Sequence, residues 1–182
     1  DRLLVDAGCE YEMYAADITR TFPVSGKFSD EQLAIYKVVL DAMNAAIDMV
    51  KPGNHIMQPQ EISEKVITEG LVKLGLLDGD PEELHKSGAY KEFYMHKIGH
   101  WLGLDVHDAG DYVEGEEYMK FKPGMITTIE PGIYISSSMD IDDKWKGIGI
   151  RIEDDILVTK DGNENLTKKV PSDPEEIESL MS

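Results

Sequence analysis

Four carboxylates stand at positions where the surrounding sequence predicts β-strands that are otherwise apolar. Glu130 and Glu153 each follow directly on a β-branched apolar residue of such a run. Near the N-terminus, a hairpin with a two-residue turn at Tyr11-Glu12 places Asp6 opposite Asp17, but the turn lacks an Asn-Gly signal, and a longer loop or a bulge would shift the register. Two facing aspartates repel each other, and apolar surroundings raise the cost of their charges. A bound cation is the simplest way to offset that cost, so these acids predict a metal site.

Three histidines lie close together in the sequence, at His96, His100 and His107. The spacing of the first two matches the zinc-protease helix motif, but that motif requires a glutamate directly after the first histidine, where Lys97 stands. Gly99 also disfavours a continuous helix here. We therefore reject a zinc-protease helix and expect turns that carry these imidazoles into a functional site.

The donor types indicate which metal the site would take. Four carboxylates and one imidazole are an oxygen-rich set, which suits Mn²⁺ and similar divalent ions better than a thiolate-binding metal. Four negative charges exceed what one divalent ion neutralises, whereas two such ions match them. Carboxylates that bridge two ions are the recurring arrangement in aminopeptidases. We therefore predict two divalent cations, with Mn²⁺ as the preferred metal.

The elements that would position these residues indicate an α+β fold with an antiparallel sheet. Ser29, followed three residues later by Gln32, predicts a capped helix that ends at Pro52-Gly53. The expected apolar face of this helix is Leu33, Tyr36, Leu40, Met43, Ile47 and Val50. The other predicted elements are a hairpin over 2–22, a second helix over 59–74, an acidic loop with a short helix over 78–92, a strand over 126–135 broken at Pro131-Gly132, a strand over 148–158, and a tail after Lys168 that frays or docks loosely.

Composition favours one globular domain and excludes several classes of protein. The chain has 182 residues, 41% of them hydrophobic, with no apolar run near the roughly 20 residues that span a bilayer and no visible signal peptide. Cys9 stands alone, so no internal disulfide can form, and a cytoplasmic protein is expected. The net charge of −18 argues against binding to nucleic acid or anionic membranes.

Five separated segments resemble the aminopeptidase P and prolidase family, the pita-bread metallopeptidases, and they occur in the family's order. The segments are Val5-Asp6-Ala7-Gly8, Asp17-Ile18-Thr19-Arg20-Thr21-Phe22, His96 through His107, Ile129-Glu130-Pro131-Gly132-Ile133-Tyr134 and Ile150-Arg151-Ile152-Glu153-Asp154. The resemblance implies a pita-bread fold, in which a curved antiparallel sheet carries flanking helices. It also implies five metal ligands, namely Asp6, Asp17, His100, Glu130 and Glu153.

The resemblance further implies a role for each site residue. Asp6 would bind one metal, His100 and Glu130 the other, and Asp17 and Glu153 would bridge them. The nucleophile would be a metal-bridging hydroxide, with Glu130 as general base. His96 and His107 would contact substrate and stabilise the tetrahedral intermediate. Arg151 would orient carboxylates from the strand face that carries Glu153, and Tyr134 would support the same site; for these two, an ordinary ion pair and an ordinary packed aromatic remain open.

The segment from Trp101 to Asp108 and the ending after Val170-Pro171 resemble aminopeptidase P more than methionine aminopeptidase. The implied reaction is removal of an N-terminal residue that precedes proline. Residues 1–182 would then be part of a catalytic domain, because family members carry an N-terminal domain and the first catalytic elements before the position of Asp1. Those parts supply a further substrate-contacting histidine and the contacts of a homo-oligomer. Lys97 departs from the family, which has a small residue there.

Two other functions compete with this interpretation. A pita-bread pseudo-enzyme that has lost its metals could bind peptides or proteins, but such a module has no reason to keep four clustered acids. A related hydrolase could cleave a C–N bond in a small molecule such as creatine, but that branch typically lacks the complete ligand set. We therefore expect a two-metal Xaa-Pro aminopeptidase whose substrate is a peptide with proline in second position.

Overall fold

A computed structural model describes all 182 residues as an α+β fold in which every strand pairing is antiparallel. The strands are β1 (Arg2–Ala7), β2 (Glu10–Tyr11), β3 (Tyr14–Ala15), β4 (Ile18–Pro23), β5 (Val113–Glu114), β6 (Glu117–Tyr118), β7 (Ile126–Ile129), β8 (Gly132–Tyr134), β9 (Gly149–Arg151), β10 (Asp154–Val158) and β11 (Asn163–Asn165). The helices are α1 (Asp30–Ile47), α2 (Gln58–Lys73), α3 (Pro81–Ser87) and α4 (Pro174–Leu180), with a 3₁₀ turn at Ala89–Glu92. None of the helices combines the length and the apolar character that crossing a membrane requires.

Strands β1 to β4 form one hairpin whose turn lies at Glu12 and Met13, one residue later than predicted. Both turn residues have positive φ, 49° and 69°, as in the tight turns that match the twist of paired strands. The shifted turn places Asp6 opposite Thr19, so the predicted pairing of Asp6 with Asp17 is wrong. Asp17 lies two residues before Thr19, and alternate residues share a face. The two aspartates are therefore diagonal neighbours on one face.

Helix α1 begins with the predicted capping box. The Ser29 hydroxyl accepts from the backbone N–H of Gln32, and the Gln32 side chain accepts from the backbone N–H of Ser29. The fully buried residues of this helix are Ile35, Tyr36, Val39, Ala42, Met43 and Ala46. Leu33, Leu40 and Ile47, which belonged to the predicted apolar face, are only partly buried. The buried stripe is rotated because α1 packs against α2 as well as against β8 and β9.

Helix α2 and the segment over 78–92 lie close to their predicted positions, but the buried side of α2 is more polar than its apolar pattern indicated. Gln60, Ser63 and Thr68 are buried there. The polarity has a structural reason at its first turn, where Gln60 Oε1 accepts the backbone N–H of Ile98 at 2.6 Å. This bond ties α2 to the segment that carries the histidines.

The two long strand predictions are each interrupted where a candidate ligand lies. The first run is divided into β7 and β8 on either side of Glu130 and Pro131. The second is divided into β9 and β10 by Ile152 and Glu153. Strands β7, β10 and β11 form one sheet, while β8 pairs with β9. Because Glu153 leaves the ladder, its backbone N–H donates instead to the carbonyl of Thr19 in β4 at 3.0 Å.

The C-terminal tail is more ordered than predicted. It forms helix α4, in which Ile177 is buried in the core. Before this helix, the carbonyls of Val170 and Pro171 accept hydrogen bonds from the guanidinium of Arg20 at 2.7 and 2.8 Å. The expectation of a frayed or loosely docked tail is therefore wrong, because a buried cation from β4 holds it.

Candidate metal centre

The five predicted ligands lie together in two overlapping groups. Ligand atoms of Asp6, Asp17 and Glu153 lie within 4.8 Å of one another, and so do those of His100, Glu130 and Glu153. Glu153 belongs to both groups, so its carboxylate lies between them. The hairpin supplies the first two residues, the segment before β7 supplies His100, and the strand breaks described above supply the glutamates.

His100 is held in the tautomer that leaves one ring nitrogen free to bind a cation. Its Nδ1 lies 3.0 Å from the carbonyl oxygen of Trp101, which can only accept, so Nδ1 carries the proton. In the neutral ring, Nε2 therefore has a free lone pair. Nε2 lies 3.5 Å from both Asp17 Oδ2 and Glu130 Oε1. The imidazole thus turns toward the carboxylates the ring nitrogen that can bind a cation.

The carboxylates at this centre are costly to ionise together without added positive charge. Burial, with the negative charge of Glu130 second, raises the pKa of Glu153 to about 8, although a hydrogen bond from Thr19 lowers it. Burial also raises the pKa of Asp17, followed by its interactions with Asp6. Divalent cations would remove this cost, since they neutralise the shared charge. The residues present therefore fit a site for hard divalent ions.

Threonine and arginine side chains that the sequence did not single out hold Glu153 in place. Thr19 Oγ1 donates to Glu153 Oε2 at 2.5 Å, and Arg20 Nη1 donates to the carbonyl of Glu153 at 2.6 Å. Arg20 also forms a buried ion pair with Asp154 at 2.7 Å. The neighbouring Asp155 accepts the backbone N–H of Asp17 at 3.2 Å. The sequence did carry a signal for this ion pair. Asp154 and Asp155 follow Glu153 directly, and Arg20 stands in a run of β-branched residues that predicts a buried strand.

His96, Tyr134 and Arg151 form one chain of hydrogen bonds beside the centre. Tyr134 Oη lies 2.8 Å from His96 Nε2, and the opposite nitrogen of this histidine bonds the carbonyl of Lys97 at 2.8 Å. Arg151 Nη1 donates to Tyr134 Oη at 3.2 Å, and Nη2 pairs with Asp6 Oδ2 at 2.5 Å. The structure therefore brings all three to the site. It directs the arginine of β9 to Asp6 in β1, rather than to Glu153 along its own strand.

His107 lies at the rim of the same site. Its ring centroid is 4.2 Å from that of His100, and its side chain is exposed. One ring nitrogen also lies within 4.8 Å of ligand atoms of Asp17 and His100. Next to it, a cavity of about 820 Å³ opens from the centre. Its wall includes His96, Glu130 and Arg151, together with apolar and aromatic side chains such as Ile56, Ile98 and Tyr112.

Residues 1–160 match the model of metallopeptidase family M24, and the chain belongs to this family. Among curated relatives, the Xaa-Pro aminopeptidase of Haemophilus influenzae is 52% identical over 182 residues, which are all of this chain and 42% of the relative. That of Escherichia coli K12 is 49% identical over 181 residues, 41% of its length. The chain thus spans about two fifths of the length of these relatives.

Solved structures of such proteins superpose closely on this chain. Pseudomonas aeruginosa aminopeptidase PepP has a TM-score of 0.98 at 55% identity, over all of this chain and 41% of that protein. A zinc-substituted Escherichia coli aminopeptidase P in complex with product has a TM-score of 0.95 at 49% identity, again over all of this chain and 41% of that protein. The expected α+β pita-bread fold is thereby confirmed.

Proposed function

We propose that the protein containing this chain is a two-metal aminopeptidase that removes the N-terminal residue from peptides with proline in second position. One observation carries the proposal: all five candidate ligands converge, with Glu153 common to both groups. Xaa-Pro aminopeptidases that are 49–52% identical along the chain support the substrate class. The convergence also argues against a metal-free binding module, which would gain nothing from clustered acids.

The donor set fits two divalent ions, for which Mn²⁺ is our preferred assignment. In this proposal Asp6 would hold one ion, His100 and Glu130 would hold the other, and Asp17 and Glu153 would be shared between them. Four carboxylates match the charge of two such ions, and oxygen-rich sites favour metals of this hardness. When bound, the ions would polarise the scissile carbonyl and lower the pKa of the attacking water.

Glu130 is the proposed general base, and the chain fixes its orientation. Thr128 Oγ1 donates to Glu130 Oε1 at 3.2 Å, and the backbone N–H of Glu130 donates to the carbonyl of Ile98 at 2.7 Å. A base held in this way accepts a proton from the attacking water as the C–O bond forms. The same carboxyl then returns the proton to the proline nitrogen as the C–N bond breaks.

His96 and His107 are proposed to contact the substrate and the tetrahedral intermediate. Since the Nδ1 proton of His96 is committed to a backbone carbonyl, its Nε2 faces Tyr134 Oη. Arg151 donates to the same hydroxyl, so the tyrosine proton is directed at the histidine. In this arrangement the hydroxyl and the imidazole satisfy each other, so neither donates to a substrate oxygen. We propose that Tyr134 turns its proton from His96 to the oxygen that becomes negatively charged.

We infer that the adjoining cavity selects proline by shape. Proline's tertiary amide lacks a hydrogen, and its ring fixes the backbone angle φ. The cavity presents Ile56 and Ile98 beside the rings of Tyr112 and Tyr118, which suit a compact apolar ring. A peptide with alanine in second position would fill this space less well.

The test is metal analysis coupled to peptide hydrolysis with the full-length protein. After chelation and dialysis, we expect no cleavage of Ala-Pro-Ala, and restored cleavage with about two Mn²⁺ bound per chain. Ala-Ala-Ala should be cleaved far more slowly. Glu153→Gln should lower bound metal and turnover together, whereas Glu164→Gln, on the exposed side of β11, should change neither. Full-length protein that cleaves no Xaa-Pro peptide after Mn²⁺ addition would contradict the enzyme, and if it also bound no Mn²⁺, the result would favour a metal-free binding module.

A further inference from the structure

Lys97 is a cation in the cavity wall that no carboxylate of the chain neutralises. Its side chain is exposed and lines the cavity together with His96 and Glu130. It belongs to none of the chain's ion pairs. The other permanently charged cation of this wall, Arg151, is already paired with Asp6. The ammonium of Lys97 is therefore the positive group of the cavity that remains available to a ligand.

The backbone around Lys97 is held on both sides, so the position of its Cα relative to the metal centre is fixed. Its carbonyl accepts the Nδ1 proton of His96 at 2.8 Å. The next residue, Ile98, is buried, and its N–H is bound by Gln60 Oε1 at 2.6 Å. The carbonyl of Ile98 accepts the N–H of Glu130 at 2.7 Å. Only the four-carbon stem of the lysine is free to move.

We propose that Lys97 binds a carboxylate that the substrate carries on the C-terminal side of the scissile bond. The inference rests on the proposed function. The amino group of the substrate is positive, so the ammonium of Lys97 repels it. A negative group further along the peptide has the opposite preference. Two sources share this chemistry: the C-terminal carboxylate of a short peptide, and an Asp or Glu side chain after proline.

The size of the effect follows from the exposure of the lysine. Exposed ion pairs are weak, and charge-assisted hydrogen bonds at a partly enclosed site are stronger. We expect a preference of about 3- to 10-fold in kcat/KM for the carboxylate-bearing substrate. Salt should reduce it, because the pair remains accessible to solvent.

The experiment compares matched substrates on the full-length, Mn²⁺-loaded protein. Ala-Pro is set against Ala-Pro-amide, and Ala-Pro-Asp-amide against Ala-Pro-Asn-amide. The variants are Lys97→Gln, Lys97→Arg and a control, Lys91→Gln, which changes an exposed lysine outside the cavity. In the wild type, at least one pair should show the preference for the carboxylate. That preference should vanish in Lys97→Gln and persist in Lys97→Arg and in the control.

The pair of substrates that shows the effect identifies the source of the carboxylate, and either pair supports the inference. Equal kcat/KM values within both pairs in the wild type would overturn it while leaving the proposed function intact. A preference that Lys97→Gln retains would overturn it in the same way. If the wild type cleaved none of the four peptides, the proposed function would fail, and this inference would fail with it.

Discussion

Once its metal is removed, the folded protein should lose stability as the pH rises from about 5 to 8. Glu153 is buried, and its pKa is raised from 4.5 to about 8. The unfolded chain releases this proton above pH 4.5, whereas the metal-free folded chain keeps it until about pH 8, so each added pH unit favours unfolding. At about 1.4 kcal/mol per unit, the difference between these two pKa values corresponds to a loss of roughly 5 kcal/mol in the free energy of unfolding. The raised pKa of Asp17 acts in the same direction.

Urea unfolding, followed by the fluorescence of the buried Trp101 and Trp145, measures this dependence in chelator and in excess Mn²⁺. In chelator, the free energy of unfolding should fall by several kcal/mol between pH 5 and 8. With Mn²⁺ it should not fall, because bound metal keeps the ligands ionised. Glu153→Gln should flatten the metal-free curve and raise stability at pH 8. A metal-free wild type whose stability is constant or rises over this range would refute the reasoning.

Three substitutions probe how the chain holds the centre. Thr19→Val removes the hydrogen bond to the Glu153 carboxylate and should weaken Mn²⁺ binding about 10-fold in a calorimetric titration; unchanged affinity would exclude this role. Arg20→Met leaves the buried carboxylate of Asp154 without its positive partner, with only the donors of Asn165 and Thr167 remaining, and should cost about 3 kcal/mol in urea unfolding; a loss below about 1 kcal/mol would contradict the buried ion pair. Gly99→Ala would place a Cβ 1.9 Å from a backbone oxygen of β7, so both thermal stability and bound metal should fall, and a variant that binds metal normally would argue against the close contact.

Local features of the fold could be predicted because they depend on residues near in sequence. The Ser29 capping box needs only a side chain and a backbone N–H three residues apart. Helix α2 and the short helix α3 follow from a local pattern in the same way. The break at Pro131 follows from the missing N–H of proline. Periodicity was less successful for α1, because which side is buried depends on the elements packed around it.

The choice of acids as candidate ligands also came from the sequence, since unneutralised carboxylates in apolar strands are costly wherever the chain places them. The register of the hairpin did not, because its turn at Glu12 and Met13 lacks the Asn-Gly signal of such turns. A shift of one residue in that turn changed the partner of Asp6, although it kept Asp17 on the same face.

The sequence by itself determined the donor types, and hence a preference for hard divalent ions. Only the tertiary structure decided how those donors meet. Thr19 reaches Glu153 across 134 positions of sequence, and Arg20 reaches Pro171 across 151. Arg151 turns to Asp6 over 145 positions. No local pattern encodes such pairs, because they form only when separate strands pack together and buried charges must find partners in whatever lies beside them.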